Sequence, residues 1–303
     1  MIVAELSQNE LQRVLAGPGL RLRTGPVVTR IHSQLSAVAQ GIGLHYANHP
    51  FERSEGFADF HVRVARPRGI RRWLQPQAVF QFDGAPPFYP LPADQAFPML
   101  EWGLNWCVSA HCHQYLVLHA AVVERSGRAL LLPAPPGAGK STLCAGLVSR
   151  GWRLLSDELA LIESATGNIA PLPRPVSLKN ASIEVIRRFS ADAVLGPTVR
   201  DTLKGSVAHM KPPAESVQRA AERARPSWIV LPRYEAGAAL RLEHLARGRA
   251  FMQLVDSAFN YHLHGRRGFE ILTQVTEACL CYGLAYSDLA QAVAAFNELA
   301  EGA

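Results

Sequence analysis

Apolar and polar positions recur at helical or alternating spacing along much of the chain, and that pattern predicts most of its elements. Residues 5–16 read as a short helix, with Ser7 as N-cap and Glu10 three positions on, the two halves of a capping box. Residues 27–35 and 57–64 read as strands, and in the second Phe57, Phe60, Val62 and Val64 mostly alternate. Residues 78–82 predict a strand closed by Asp83-Gly84, with Pro86-Pro87 following. From 93 to 110 the spacing turns helical through Phe97, Leu100, Leu104 and Val108. This first third carries no recognisable catalytic motif. It reads as a small α+β accessory domain, residues 1–113.

Near residue 114 the pattern changes, and residues 114–303 read as a second, α/β domain. Residues 115–123 are a continuous apolar strand broken only by His119. Ser126-Gly127 turns the chain back into a second apolar run at 130–132, which predicts an antiparallel pair. That run enters Ala134-Pro-Pro-Gly-Ala-Gly-Lys-Ser-Thr142, and Leu143, Leu147 and Val148 follow at helical spacing up to Gly151. Residues 152–162 predict a strand interrupted at Ser156-Asp157-Glu158, and Pro171, Pro173 and Pro175 mark a link to 176–186. Residues 190–226 are polar, basic and Pro-containing, with a helical stretch at 214–223; they predict a mobile loop or lid. A strand at 228–231, a helix at 247–261 and a strand at 280–286 follow. Ser287-Asp288 caps a final helix with Leu289, Val293, Phe296 and Leu299 on one face.

Composition narrows the classes. Hydrophobic residues make up 48% and charged residues 18%, enough apolar material for a packed core. No apolar run is long enough to span a bilayer, and the first residues lack the basic-then-apolar order of a secretory leader. Five cysteines, an odd count without framework spacing, predict reduced thiols and a cytoplasmic protein. The net charge of +6 favours anionic ligands. Arg63, Arg66, Arg68, Arg71 and Arg72 form the densest basic cluster. It has no helical phase and Trp73 alone interleaves it, so it reads as a solvated loop and not a nucleic-acid surface. Cys107, His111, Cys112 and His113 fit no common zinc spacing and read as a helix end, while Cys279 and Cys281 read as packing residues in a strand.

The chemistry concentrates in the middle of the chain. A strand, a Gly-rich turn and a helix opening on Gly139-Lys140-Ser141-Thr142 are the setting of a phosphate-binding P-loop. Pro136, Gly137, Ala138, Gly139, Lys140, Ser141 and Thr142 would wrap backbone N–H groups around a nucleotide's phosphates. Lys140 would reach the β- and γ-phosphates and Ser141 would ligate Mg²⁺. Ala134 stands where the motif's first glycine belongs, and Pro135-Pro136 stiffen the turn. The competing reading is a Gly/Pro loop that merely starts a helix. Asp157 and Glu158 can divide two tasks, one accepting the proton of an attacking hydroxyl and the other supporting the metal. His119, in an apolar strand, is either a satisfied core histidine or a partner that tunes Asp157. Lys179 and Lys211 are candidates to neutralise a transferring phosphoryl group, with surface lysines the equal alternative.

The stretches Leu118-His-Ala-Ala-Val-Val123, Ala134–Thr142 and Arg153-Leu-Leu-Ser-Asp-Glu158 together resemble the core of the HPr kinase/phosphorylase family, and more closely its branch called HprK-related kinase A. The resemblance is specific over 115–186 and diffuse beyond. It implies the P-loop core shared with PEP carboxykinase. It also implies that Lys140 binds phosphates, Ser141 the metal, Asp157 acts as general base toward a serine hydroxyl and Glu158 supports the metal. His119 would stand behind Asp157, and Lys179 falls where the family has an arginine. Ser177 replaces the family's acid, and Asn180-Ala181-Ser182 lack its glycine-rich character. The expected activity is ATP- and Mg²⁺-dependent transfer of the γ-phosphoryl group to a hydroxyl of a protein, peptide or small molecule, by a homo-oligomer as in the family. A nucleotide-sensing module without transfer and an NTPase using water are the alternatives.

Overall fold

The protein is described by a computed structural model covering residues 1–52, 56–67 and 76–302. It is a mixed α/β molecule, with three sheets among the described residues. The first sheet contains β1 (Leu20–Thr24), β2 (Val27–Ser33), β3 (Phe51–Glu52), β4 (Phe60–Ala65), β5 (Gln77–Phe82) and β6 (Leu91–Pro92), in the order β3-β1-β2-β4-β5-β6. Its pairs are antiparallel except for parallel β2–β4. Helices Gln8–Ala16, Ser36–His45 and Ala96–His111 pack against this region. The first helix carries the capping box expected from Ser7 and Glu10. In β4 burial alternates, so Phe60, Val62 and Val64 enter the core and Arg63 points to solvent. Of the basic cluster, Arg68, Arg71 and Arg72, with Trp73, lie outside the described residues.

The second sheet is built on β7 (Tyr115–Arg125), with β8 (Arg128–Pro133), β9 (Arg153–Ser156), β10 (Leu159–Glu163) and β11 (Ile169–Ala170). β7 and β8 form the expected antiparallel hairpin. Ser126 and Gly127 both adopt positive φ (54° and 78°), the twist a two-residue hairpin turn requires. A separate three-stranded sheet, in the order β12-β14-β13, holds β12 (Val176–Lys179), β13 (Val199–Thr202) and β14 (Gly205–Met210). The large sheet is completed by β15 (Arg225–Tyr234), β16 (Arg241–His244) and β17 (Leu280–Tyr286), in the order β11-β10-β7-β8-β15-β17-β16, with β9 beside β7. β8, β15 and β17 are mutually parallel and almost wholly apolar.

One core lies between the first sheet and its helices, and it extends past the hairpin start to take in Val117, Leu159, Leu161, Ala170 and Leu172. Two more cores cover opposite faces of the large sheet. Helices Lys140–Val148 and Leu289–Glu301 lie over one face, and Arg247–Asp256 and Arg266–Ala278 over the other. Asp288 caps the last helix by accepting from the Gln291 N–H at 2.8 Å. Gly25 is a close-approach position: a Cβ there would stand 2.0 Å from the Pro171 carbonyl oxygen, so the β1–β2 turn presses on the Pro-containing link.

The segment 190–226 corrects the expectation of an open lid. It forms β13, β14 and the short helix Ala214–Gln218, and Val207, Ala208, His209 and Met210 are buried. β14 pairs with β12 from Val176↔Met210 to Lys179↔Val207, and that pairing supplies the backbone partners which polar composition alone does not reveal.

Candidate functional site

β7 brings the pieces of the site to one level. On one edge, Ala120 and Ala121 pair with Pro133 and Leu132, the last residues of β8 before the loop 134–139. On the other edge, β9 and β10 run antiparallel to β7, with Val122 opposite Ser156 and His119 opposite Leu159. A register shift sits between Leu154 and Ser156, and no ladder pair is formed at Asp157 and Glu158. The interruption read from the sequence therefore places two acids directly across β7 from the mouth of the loop.

The loop turns through Gly137 (φ 87°) and Gly139 (φ 91°) into helix Lys140–Val148. Gly139 has no substitute: a Cβ would lie 2.5 Å from the Tyr286 hydroxyl oxygen. That hydroxyl donates to the Gly139 carbonyl oxygen at 3.2 Å, and the Tyr234 N–H donates to the Ala138 carbonyl oxygen at 3.2 Å. β15 and β17 thus hold the loop from behind, while Pro135, Pro136 and Gly137 are exposed. No side chain caps the helix start, so its first N–H groups and positive dipole end face the loop. Ser141 and Thr142, on its first turn, are half-buried. Lys140 is buried, and its ammonium donates to the carbonyl oxygens of Ala134 and Pro135. Burial pulls it below the ordinary lysine value, against Asp157 and Glu158, which pull it up.

Asp157 and Glu158 titrate apart. Asp157 is buried, and burial together with the neighbouring Glu158 charge pushes its carboxyl up to about 7. The Ser177 N–H, donating to Asp157 Oδ2 at 2.9 Å, together with Lys179 and Ser141, pulls the other way. Asp157 Oδ1 and Ser177 Oγ are buried with no hydrogen-bond partner. Burial alone would raise Glu158 too, but Lys179, Lys204 and His119 outweigh it and hold Glu158 below the ordinary carboxylate range. Lys179 Nζ stands 3.4 Å from Glu158 Oε1.

His119 lies on β7 opposite Leu159 of β10, within reach of the charges of Lys140, Glu158, Lys179 and Lys204. Burial, then Lys140, lowers its basicity, and its ring lies 5.9 Å from Phe259. Lys211 follows the last residue of β14, and its charge acts on His45 and His49. The second cation near Glu158 is Lys204, in the β13–β14 turn, with its ammonium 5.1 Å from the centre of the Trp102 ring. Nothing in the sequence ties residue 204 to residue 158; the signal is the hairpin itself, which forms only against β12. Trp102 belongs to helix Ala96–His111, so the N-terminal region contributes a wall. That wall is fixed by buried Arg174, which donates to Glu101 Oε2 at 2.8 Å and to Asn105 Oδ1 at 2.7 Å.

A divalent cation fits these residues. Two adjacent acids, one with an orphaned buried oxygen and a carboxyl raised by its neighbour's charge, gain from a cation between them and the Ser141 hydroxyl. Among the described residues no group of three His, Cys, Asp or Glu side chains forms a metal cage. A cation held by Ser141, Asp157 and Glu158 would need water or other oxygens to complete its shell. The cysteines at 107, 112, 144, 279 and 281 are all free and buried. Among the described residues no helix is long and apolar enough to cross a membrane.

A family described as "SynChlorMet cassette protein ScmC" matches residues 96–181. No curated protein matches the chain. The matched stretch runs from the start of helix Ala96–His111, through β7, the loop and the acid pair, to just past Lys179.

Proposed function

We propose that this chain is an ATP-dependent kinase of the HPr kinase-like type, transferring the γ-phosphoryl group to a hydroxyl, serine being the leading acceptor, of a protein or peptide. The observation that carries the reading is the placement of Asp157 and Glu158 across β7 from a glycine loop that opens the uncapped helix of Lys140 and Ser141. The backbone N–H groups of 137–142 and the Lys140 ammonium, released from the Ala134 and Pro135 carbonyls, hold the nucleotide's phosphates. Ser141 and Glu158, with Asp157 beside them, would hold Mg²⁺, which when bound would neutralise charge on the terminal phosphates. Asp157 takes the acceptor's proton as the acceptor oxygen bonds to the γ-phosphorus and the bond to the β-phosphate oxygen breaks, releasing ADP. Lys179 and Lys204 offset charge near Glu158. Buried free thiols suit a reducing, cytoplasmic setting.

The second reading, a nucleotide-sensing module, draws on the tie between Lys140 and its own loop carbonyls. The test is incubation with γ-labelled ATP, Mg²⁺ and lysate of the source organism, beside Lys140→Ala. A labelled protein, peptide or metabolite that vanishes with the variant is the expected result. Nucleotide bound without any labelled product would sink the kinase reading in favour of the sensor.

A further inference from the structure

A second cavity, of about 370 Å³, opens at the far ends of β8 and β15 from the loop. Arg128 starts β8 and Arg225 starts β15, and the two are direct partners in the parallel ladder. Like charges in register on neighbouring strands repel. Among the described residues Arg225 makes no ion pair and no carboxylate lines the cavity. The Arg128 guanidinium carbon lies over the buried Trp228 ring, 4.2 Å from its centre. A register shift between Pro226 and Trp228 makes Ser227 an extra residue and turns it to the cavity wall. Asn168 and Gln274 add amide groups, and Val275 and Ala278 add a small apolar floor.

We propose that this cavity binds a phosphorylated small molecule with a hydroxyl-bearing body, its phosphate held by Arg128 and Arg225. A phosphomonoester carries a charge of about −1.5 to −2, and a guanidinium can bond it through its N–H groups. The C-terminal end of helix Arg266–Ala278 also borders the cavity. Its partial charge of roughly −0.5 is outweighed by the full positive charge of Arg225. Ser227, Asn168 and Gln274 supply the donors and acceptors that sugar-like hydroxyls need. The volume lies in the range of about 300–1,000 Å³ typical of small-molecule pockets. The site is independent of the proposed kinase chemistry, because β8 and β15 run their whole lengths between it and the loop.

The test is calorimetric titration of the full chain with ribose 5-phosphate, and with ribose and inorganic phosphate in parallel. Ribose 5-phosphate is expected to saturate one site per chain, with ribose giving no heat and inorganic phosphate binding more weakly. Arg225→Ala, at an exposed strand start, is expected to weaken binding by at least about tenfold, the equivalent of about 1.4 kcal/mol. Gln274→Ala, in the cavity wall, is expected to weaken ribose 5-phosphate more than inorganic phosphate. Lys140→Ala and saturating ATP are expected to leave binding unchanged, whether or not the chain proves to be a kinase. Absence of binding, equal affinity for inorganic phosphate, wild-type binding by Arg225→Ala, or loss of binding with Lys140→Ala would each overturn the assignment.

Discussion

Replacing Asp157 by asparagine separates what the acid does for stability from what it does for chemistry. In the folded chain burial and Glu158 push the Asp157 carboxyl from 3.8 up to about 7. Between those values the folded state keeps a proton that the unfolded state has released, so the wild type loses stability as pH rises through this window. At about 1.4 kcal/mol per pH unit the loss reaches on the order of 4 kcal/mol by pH 8. An asparagine at this position cannot titrate, so the variant escapes that loss. Part of the gain is offset because Lys140 loses the attraction of the Asp157 charge. We expect the stability of Asp157→Asn relative to wild type to be about 2 kcal/mol more favourable at pH 8 than at pH 4. The assay is urea unfolding of both proteins across pH, with a chelator present and no nucleotide. Phosphotransfer by the stabler variant should be lost. A stability difference that does not change with pH, or that grows in the wild type's favour toward pH 8, would refute the reasoning.

Gly139→Ala places a side chain at φ 91° against the Tyr286 hydroxyl and should cost about 1–3 kcal/mol together with nucleotide binding. Thermal unfolding should show partial recovery on adding Tyr286→Phe, which removes the clashing oxygen. Arg174→Ala strands the buried Glu101 carboxylate and should cost about 3–5 kcal/mol in urea unfolding. The pair Arg174→Met with Glu101→Gln, which leaves no buried charge, should cost distinctly less. Lys204→Met removes a cation acting on Glu158 while keeping contact with Trp102, and should slow transfer roughly ten- to a hundredfold with nucleotide affinity held; equal loss of both would place Lys204 in binding alone.

Elements whose stabilising partners are close in sequence were legible. Ser7 caps its helix through Glu10, Ser126-Gly127 closes its hairpin, and Asp288 caps the last helix. Elements made by distant contacts were not. Helix Ser36–His45 begins on Leu35 without a capping side chain, and helix Arg266–Ala278 begins at Gly265 with none. β1 is legible only beside β2 and β3. The same division runs through the site. The loop, Lys140, Ser141 and the acid pair lie within one stretch of chain. Lys204 reaches it from a separate sheet and Trp102 from a helix of the N-terminal region, and the place of His119 depends on how β10 docks on β7.

The two tyrosines behind the loop also fix when in the life of the chain the loop can take its shape. Tyr234 and Tyr286 close β15 and β17, whose ladders join Leu131 to Ile229 and Ile229 to Cys281. Parallel pairings over such separations form slowly. During synthesis the β7–β8 hairpin leaves the ribosome long before either tyrosine, with its glycine turn unsupported. The glycine loop is therefore among the last parts of the molecule to be assembled. A nascent chain halted before residue 286 would carry the whole 134–142 sequence and still lack the Gly139 clamp.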